Sequence, residues 1–470
     1  MYPNLYYVFK DWFGVEWSSL KVLNVFGLMV ALAFVGAAWT LALELKRKEK
    51  QGLLLPREET VVVGKPASWM ELMYNGLLGF IFGFKFIGVL FSKAPEVSAP
   101  DYIFSKEGRL WGGLLVGVIL AGAKWYEKNK RKLKSPEYRP IRIWPHDRVG
   151  DIVIIALLFG ILGAKLFDAV EHWDELMKDP IGQIFSASGL TFYGGLIVAA
   201  LAVCWYAYRK GISIKHLVDA AAPGLLLAYA IGRIGCQVAG DGDWGIFNSA
   251  YVSDETGKVK LASAGDYENQ LKKYSTYFLQ GKVNDSNRMV YVTDRTYASL
   301  EDVPHKSIKG PGFLPNWLFA YTYPKNVNAD GILIPGDTDE HNRVLPQPVF
   351  PTPLYETLIC GSMFLFLWVI RRRISTPLLM FGLYLILNGF ERFLIETIRV
   401  NKLYSVLGML LSQAEIIALC LVLAGVALIF FSRSKFKRLS YYRGISVHLI
   451  DIQLNIIIFC EPHFVAVFLL

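Results

Sequence analysis

Residues 219–245 read DAAAPGLLLAYAIGRIGCQVAGDGDWG. From Ala220 to Ala239 the only charged side chain is Arg233, and the run then breaks into a glycine-rich turn that carries Asp241 and Asp243. About 20 apolar residues in a helix match the roughly 30 Å hydrocarbon thickness of a bilayer. The stretch therefore predicts a membrane-spanning helix with a guanidinium inside it. On insertion scales such a charge costs about 2.5–3.5 kcal/mol, so Arg233 is a candidate functional residue from the outset.

The rest of the chain repeats the apolar pattern. Of 470 residues 53% are hydrophobic and 19% charged, with a mean hydropathy of +0.35. An ordinary soluble protein has about 25% charge, so the composition argues against a water-soluble multidomain enzyme. Windows of about 20 residues give spans at roughly 22–43, 74–92, 110–125, 151–167, 189–208, 219–239, 354–370, 376–398 and 410–431. The predicted fold class is all-α, a polytopic transmembrane helix bundle of about nine spans. Helical spans rather than alternating ten-residue strands disfavour an outer-membrane barrel.

With the N-terminus outside, the inner loops hold Lys46/Arg47/Lys48/Lys50, the run from Lys128 to Arg148, Arg209/Lys210/Lys215, Arg371/Arg372/Arg373 and Arg433/Lys435/Lys437/Arg438. This asymmetry is the positive-inside signature. The loop 241–352 then lies outside and, lacking an apolar 20-mer, reads as a small extracytoplasmic head domain. The predicted organisation is 1–150 (three spans), 151–240 (spans four to six), 241–352 (head), 353–432 (spans seven to nine) and 433–470, a basic then apolar tail with no assignment. The first 21 residues lack the basic start of a cleavable signal.

Lys and Arg number 49 against 40 Asp and Glu, a net +9 spread over many loops, which argues against nucleic acid as a partner. The five cysteines have no paired spacing and the seven histidines no HExxH, so neither a disulfide framework nor a metal centre is expected, and no cofactor is implied.

Charge inside the spans narrows the chemistry. Gly389-Phe-Glu391-Arg392-Phe-Leu-Ile-Glu396-Thr-Ile-Arg399 sets Arg392, Glu396 and Arg399 at i, i+4 and i+7, one helix face. That face reads either as an ion pair locking helices together or as part of a site. Arg233 and Arg392 near the outer leaflet, with glycines that admit a substrate to the backbone, supply the forked, permanently charged donors that a phosphate-bearing lipid headgroup requires. Lys165 adds a third cation or snorkels to the interface, and Lys85 reads as structural. Glu356, after Pro351-Thr-Pro353-Leu-Tyr355, orients an arginine or caps a helix. Tyr193, before Gly194 and Gly195, is either an interfacial tyrosine or a site residue.

An internal repeat has an offset of about 80 residues. Gly83-Phe-Lys85 recurs as Gly163-Ala-Lys165, Ile103-Phe-Ser105 as Ile184-Phe-Ser186, and Gly112-Gly-Leu114 as Gly194-Gly-Leu196. Spans two and three read as a copy of spans four and five, with Trp111 where the second copy has Tyr193.

Phe192-Tyr193-Gly194-Gly195, the GRIG…GDGDWG run, Pro351-Thr-Pro353-Leu-Tyr355-Glu356 and Gly389-x-x-Arg392-x-x-x-Glu396-x-x-Arg399 together resemble, in that order, the prolipoprotein diacylglyceryl transferases of bacterial inner membranes. The match covers about 150 to 430 and leaves spans two and three as additions. The resemblance implies transfer of the diacylglyceryl group of phosphatidylglycerol to the lipobox cysteine of a preprolipoprotein signal peptide, with release of glycerol phosphate at the periplasmic face. It implies that Arg233 and Arg392 hold the lipid phosphate, that Glu396 positions Arg392, that Asp241 replaces the family's glutamate, and that Glu356 belongs to its Tyr-Glu element. Gly194, Gly195, Lys165 and Arg399 are the further candidate substrate contacts. Where the family has His-Gly-Gly this chain has Tyr193-Gly194-Gly195, which leaves the general base open; a phenol suits a hydrogen-bond donor better than a base at neutral pH. The expected partners are phosphatidylglycerol, the lipobox peptide and the inner-membrane bilayer around a monomeric, multi-pass chain. An anionic-lipid transporter and a catalytically inactive lipoprotein-precursor receptor are the alternative readings.

Overall fold

The computed structural model describes residues 1–91, 102, 106–178, 191–241, 244–280, 297–399, 403–406 and 409–442. Among them nine helices have 18 residues or more: α1 (Val25–Lys50), α2 (Trp69–Phe91), α3 (Leu110–Lys130), α4 (Val149–Glu171), α5 (Phe192–Lys210), α6 (Ile214–Ala239), α7 (Thr352–Ile370), α8 (Leu379–Glu396) and α9 (Gln413–Tyr442). Each coincides with one predicted span. Six of them, α1, α2, α4, α6, α7 and α9, are long and apolar enough to cross a membrane. α1 and α9 continue as helix into the basic stretches that follow their apolar cores, so residues 433–442 of the predicted tail are helical and the remainder lies outside the described residues.

Local chemistry sets several helix ends. Pro353 opens α7, where a missing N–H costs nothing. Ser68 with Glu71 and Ser412 with Glu415 exchange side-chain and backbone hydrogen bonds before α2 and α9, satisfying otherwise orphaned donors. The start of α8 is served from another helix: Asp219 of α6, fully buried, accepts from the backbone N–H groups of Leu378 (2.8 Å) and Phe381 (2.9 Å).

The chain divides into two compact units: Met1–Pro3, Val25–Thr40 and Val218–Leu470 in one, Asn4–Asn24 and Leu41–Leu217 in the other. In the second unit α2 packs on α3 and α4 on α5 through matched glycines. A Cβ on Gly83 would strike the Gly112 carbonyl and Val116, and one on Gly163 would strike the Gly194 carbonyl and Val198. The matching extends to the backbone: Arg109 N donates to Phe84 O at 2.9 Å, and Thr191 N to Ala164 O at 3.2 Å. Corresponding residues are offset by 80 on the first helix and 82 on the second, so the two hairpins share one contact pattern. The Ile103-Phe-Ser105 and Ile184-Phe-Ser186 parts of the sequence repeat lie outside the described residues.

The loops before α2 and α4, both predicted to be inner, pair with each other. β1 (Arg57–Val63) runs antiparallel to β2 (Glu137–Ile143), from Arg57 opposite Ile143 to Val63 opposite Glu137. Arg142 and Glu58 bond across this ribbon at 3.0 Å, and Arg148 and Lys210 both reach Glu59. Nothing in the sequence reading anticipated the ribbon.

In the first unit, the segment between α6 and α7 folds around Trp244, Phe247, Tyr267, Leu271, Phe278, Val303, Tyr323, Leu345 and Val349, all buried. Among the described residues its strands are two or three residues long, so buried amides take over much of the pairing. Asn248 Nδ2 donates to Ile308 O and Phe319 O, and Gln347 Nε2 to Asn248 O and Tyr251 O. Its two ends are sewn to the helices: Val327 N donates to Ala239 O (3.1 Å), Ile246 N to Ile398 O (2.8 Å) and Lys306 Nζ to Thr397 O (2.8 Å).

Forcing side chains into the hairpin contacts should cost about 1–3 kcal/mol by overpacking. Gly83→Leu and Gly163→Leu are each expected to lower the thermal midpoint of the purified protein. Gly122→Leu, at a position with open space around it, is expected to leave that midpoint unchanged. Equal midpoints for all three would refute the contact pattern.

Candidate active site

Three helices of the first unit bring charge to one buried point. Glu356 lies one turn into α7 and is fully buried. Arg233, on α6, sets Nε 2.6 Å from Glu356 Oε2 and donates from Nη2 to Oε1 at 3.1 Å. Arg392, on α8, approaches Oε1 to 3.6 Å and Arg399, just beyond α8, to 3.9 Å. The phenol of Tyr229 also donates to Oε1, at 3.1 Å, while the Arg233 guanidinium lies 5.5 Å from its ring centroid. Arg392 pairs in addition with Glu396, one turn on, at 3.8 Å. The face predicted at i, i+4 and i+7 is therefore a buried cluster.

The electrostatics follow from burial. The side chains of Arg233, Arg392 and Arg399 are 12%, 23% and 8% exposed, against 0% for Glu356, so water screens these pairs poorly. Each guanidinium carries five N–H donors in a rigid fork, and three such forks converge here on one carboxylate. Such forks suit an anion with more oxygens than a carboxylate, a phosphate above all.

The predicted residues divide between the units. Arg233, Glu356, Arg392, Glu396 and Arg399 meet as described. Asp241 sits in the turn that ends α6, its N–H donating to Cys236 O at 3.0 Å after Gly240 at a φ of 67°. Asp243 lies outside the described residues.

Tyr193, Gly194, Gly195 and Lys165 belong to the other unit. Tyr193 is the second residue of α5 and 40% exposed. Gly194 and Gly195 are buried against α4, where a Cβ would meet Phe167 and the Gly163 and Gly160 carbonyls, so close helix packing alone accounts for both glycines. In the first hairpin Lys85 is structural: its Nζ donates to Tyr102 O (2.9 Å) and Glu107 O (2.8 Å).

Two members of the cluster escaped sequence reading. Tyr229 stands four residues before Arg233 on the same face of α6, a spacing that was available as a signal. Glu391 is fully buried on α8, and its place next to Arg392 gave it no role of its own in the sequence. Among the described residues no three His, Cys, Asp or Glu side chains converge as a metal-ligand set.

Comparison with known proteins supplies the family. Residues 109–431 match the model of the prolipoprotein diacylglyceryl transferase family. The phosphatidylglycerol-prolipoprotein diacylglyceryl transferase of Leptospira interrogans is 26% identical over 181 residues, 32% of this chain and 53% of that protein. Enzymes of the same name from Dehalococcoides mccartyi and Bacillus cereus are 39% identical over 95 residues (20% of this chain, 36% of the relative) and 34% over 127 (27% and 44%). The chain thus spans about half or less of the length of these curated relatives. With a family match across most of its length that includes every arginine of the cluster, the chain belongs to the prolipoprotein diacylglyceryl transferase family.

Proposed function

We propose that this protein transfers the diacylglyceryl group of phosphatidylglycerol to the lipobox cysteine thiol of preprolipoproteins. The observation that carries this reading is the convergence of Arg233, Arg392 and Arg399 on one buried carboxylate position in a family whose relatives are named for that reaction. The thiol gives up its proton, its sulfur attacks the glycerol carbon that bears the phosphate, a C–S bond forms and the C–O bond breaks. The electron pair leaves with glycerol phosphate, which gains negative charge as it departs. Guanidinia already fixed in place favour that developing charge over the ground state. Glu356 and Glu396 hold the forks in register, and Asp241 holds the turn that follows Arg233. Tyr193 donates or relays a proton, with Gly194, Gly195 and Lys165 beside the incoming lipid.

The same reading assigns all nine long helices as spans of a bacterial inner membrane, with the N-terminus, the 241–352 head domain and the active site on the periplasmic side and the protein working as a monomer. The α2–α3 pair is then a duplicate of α4–α5 within an N-terminal region 1–150, and 151–240 with 353–432 form the catalytic core. The basic loops and the β1–β2 ribbon, which joins two loops given the same face by charge, support this orientation. The transporter and receptor readings have no counterpart among the names of the relatives.

The test is mass spectrometry of a lipobox peptide incubated with the purified protein and phosphatidylglycerol. A diacylglyceryl thioether is expected from the native chain. Arg392→Ala and Arg233→Ala are expected to lower its rate by about 10²–10³-fold, the usual cost of removing one donor aimed at developing charge. No adduct from a folded, lipid-binding native protein would overturn the proposal. Tyr193→Phe, which removes only the hydroxyl, is expected to slow turnover strongly; turnover at the parental level would remove Tyr193 from the mechanism.

A further inference from the structure

Among the described residues the most exposed large apolar side chain lies not on a long helix but in the segment between α6 and α7: Phe313, at 84%. Leu314 beside it, Trp317 (49%) and Ile308 are exposed as well. Every residue from His305 to Trp317 except Gly310 is exposed, whereas elsewhere in the described part of that segment only Leu261 and Leu333 are exposed large apolar residues. Single exposed apolar side chains are ordinary, but four within ten residues mark a surface that meets something other than water.

The backbone is built to hold these side chains out. Asn248, fully buried, closes the neck of the loop: its Nδ2 donates to Ile308 O (2.9 Å) and Phe319 O (3.0 Å), and its Oδ1 accepts from Ile308 N (3.2 Å). The Tyr251 hydroxyl accepts from Gly310 N at 2.9 Å. At the tip Leu314 N donates to Pro311 O at 2.9 Å, and Leu318 N to Pro315 O at 3.1 Å, so Phe313 and Trp317 each sit inside a hydrogen-bonded turn. The base of the loop is fixed to helix ends. Tyr355, in the first turn of α7, donates from its hydroxyl to Leu318 O at 2.6 Å, and Lys306 Nζ reaches Thr397 O just past α8.

That attachment sets the level of the loop. α7 is long and apolar enough to cross a membrane, and a crossing helix begins at the headgroup layer, so Trp317, next to Leu318, stands at that layer. Its chemistry fits the place: an indole has an apolar body and one polar N–H, and tryptophan is enriched where hydrocarbon meets headgroups. From Val303 to Ala329 the sequence has Lys306, Lys309 and Lys325 and no Asp or Glu, a sign of charge that suits anionic headgroups. α7 exposes Leu358, Leu365, Phe366 and Val369, so lipid lies against the same helix that holds the loop. We propose that residues 308–317 insert into the lipid interface at the start of α7, Phe313 below the headgroups and Trp317 among them, and so hold the segment between α6 and α7 on the membrane. This rests on reading α7 as a span, and not on the transfer chemistry.

The experiment uses the full-length protein in nanodiscs of phosphatidylethanolamine and phosphatidylglycerol, with the photoreactive side chain of benzoylphenylalanine at position 313. Irradiation followed by mass spectrometry is expected to give a phospholipid adduct at that position. No lipid adduct there overturns the proposal, and so does an adduct with an added lipobox peptide in place of lipid, which would make the loop a peptide dock. Should the photoreactive chain fail to fold, Trp317 supplies a second reading. In nanodiscs whose lipids are brominated near the headgroup end of the acyl chain, Trp317→Phe is expected to remove part of the lipid-quenched tryptophan emission; equal quenched emission in variant and native protein overturns the insertion. Neither readout needs turnover. A lipid adduct from a chain that forms no thioether would reject the transferase reading alone, and thioether formation without a lipid adduct would reject the insertion alone.

Discussion

The carboxylate of Glu356, taken out of water in the midst of apolar helices, is the constraint on which the first unit depends. A buried ion left without partners costs several kcal/mol, and removing one partner of such a pair typically costs about 3–5 kcal/mol. Here the compensation comes from Arg233 on α6, Arg392 on α8, Arg399 beyond α8 and the hydroxyl of Tyr229. Those helices are thereby held in one axial register, since a slip of one turn would carry a guanidinium about 5.4 Å away. Asp219 acts in the same sense at the other end of α8, where its carboxylate binds two backbone N–H groups of the first turn.

The segment between α6 and α7 completes this arrangement. Thr397 and Ile398, directly after Glu396, give their carbonyls to Lys306 and Ile246. Arg399 follows one residue later, so its approach to Glu356 is set as much by the folded segment as by α8. At the end of α6 the same segment reaches back through Val327 to Ala239, beyond Arg233 and before Asp241. The chain thus anchors both arginine-bearing helices to a shared, well-packed cap. Among the described residues of this cap the strands have only two or three residues each, and buried amides of Asn248 and Gln347 do the work of a regular ladder.

What the sequence disclosed follows the energetics of the membrane. Nine apolar runs were legible and nine long helices answer them; the six long and apolar enough to cross a membrane stood out most because such a helix must cover its own backbone over about 20 residues. Arg233, Arg392 and Glu396 were legible because charge in such a run is costly enough to need a reason. Glu356 could be read only as orienting an arginine or capping a helix; deciding between the two takes the positions of two other helices, α6 and α8. Tyr229 was hidden because tyrosine carries no comparable penalty. Glu391 was hidden by its neighbour Arg392, for adjacent helical residues diverge by about 100° and do not pair. The β1–β2 ribbon was illegible for another reason: REETVVV lacks the alternation of a half-buried strand, and its partner lies about 80 residues away.

The two units hold helices together by different means. Hydrophobic burial distinguishes helix from lipid only weakly, so association in a bilayer needs either close backbone approach or polar contacts. The α2–α3 and α4–α5 hairpins use the first: Gly83 on Gly112 and Gly163 on Gly194 put one helix backbone against the next with no side chain between. The α6, α7 and α8 group uses the second, through Glu356. The choice has a chemical consequence. Glycine contacts set backbone against backbone, which suits a scaffold, and the same joint serves both hairpins while the residue before the glycine pair differs, Trp111 on one and Tyr193 on the other. An ion-pair joint sets guanidinium forks at its centre, and under the proposed function the lipid phosphate meets the same groups that hold the helices together. Fold and site in the first unit are therefore the same set of interactions.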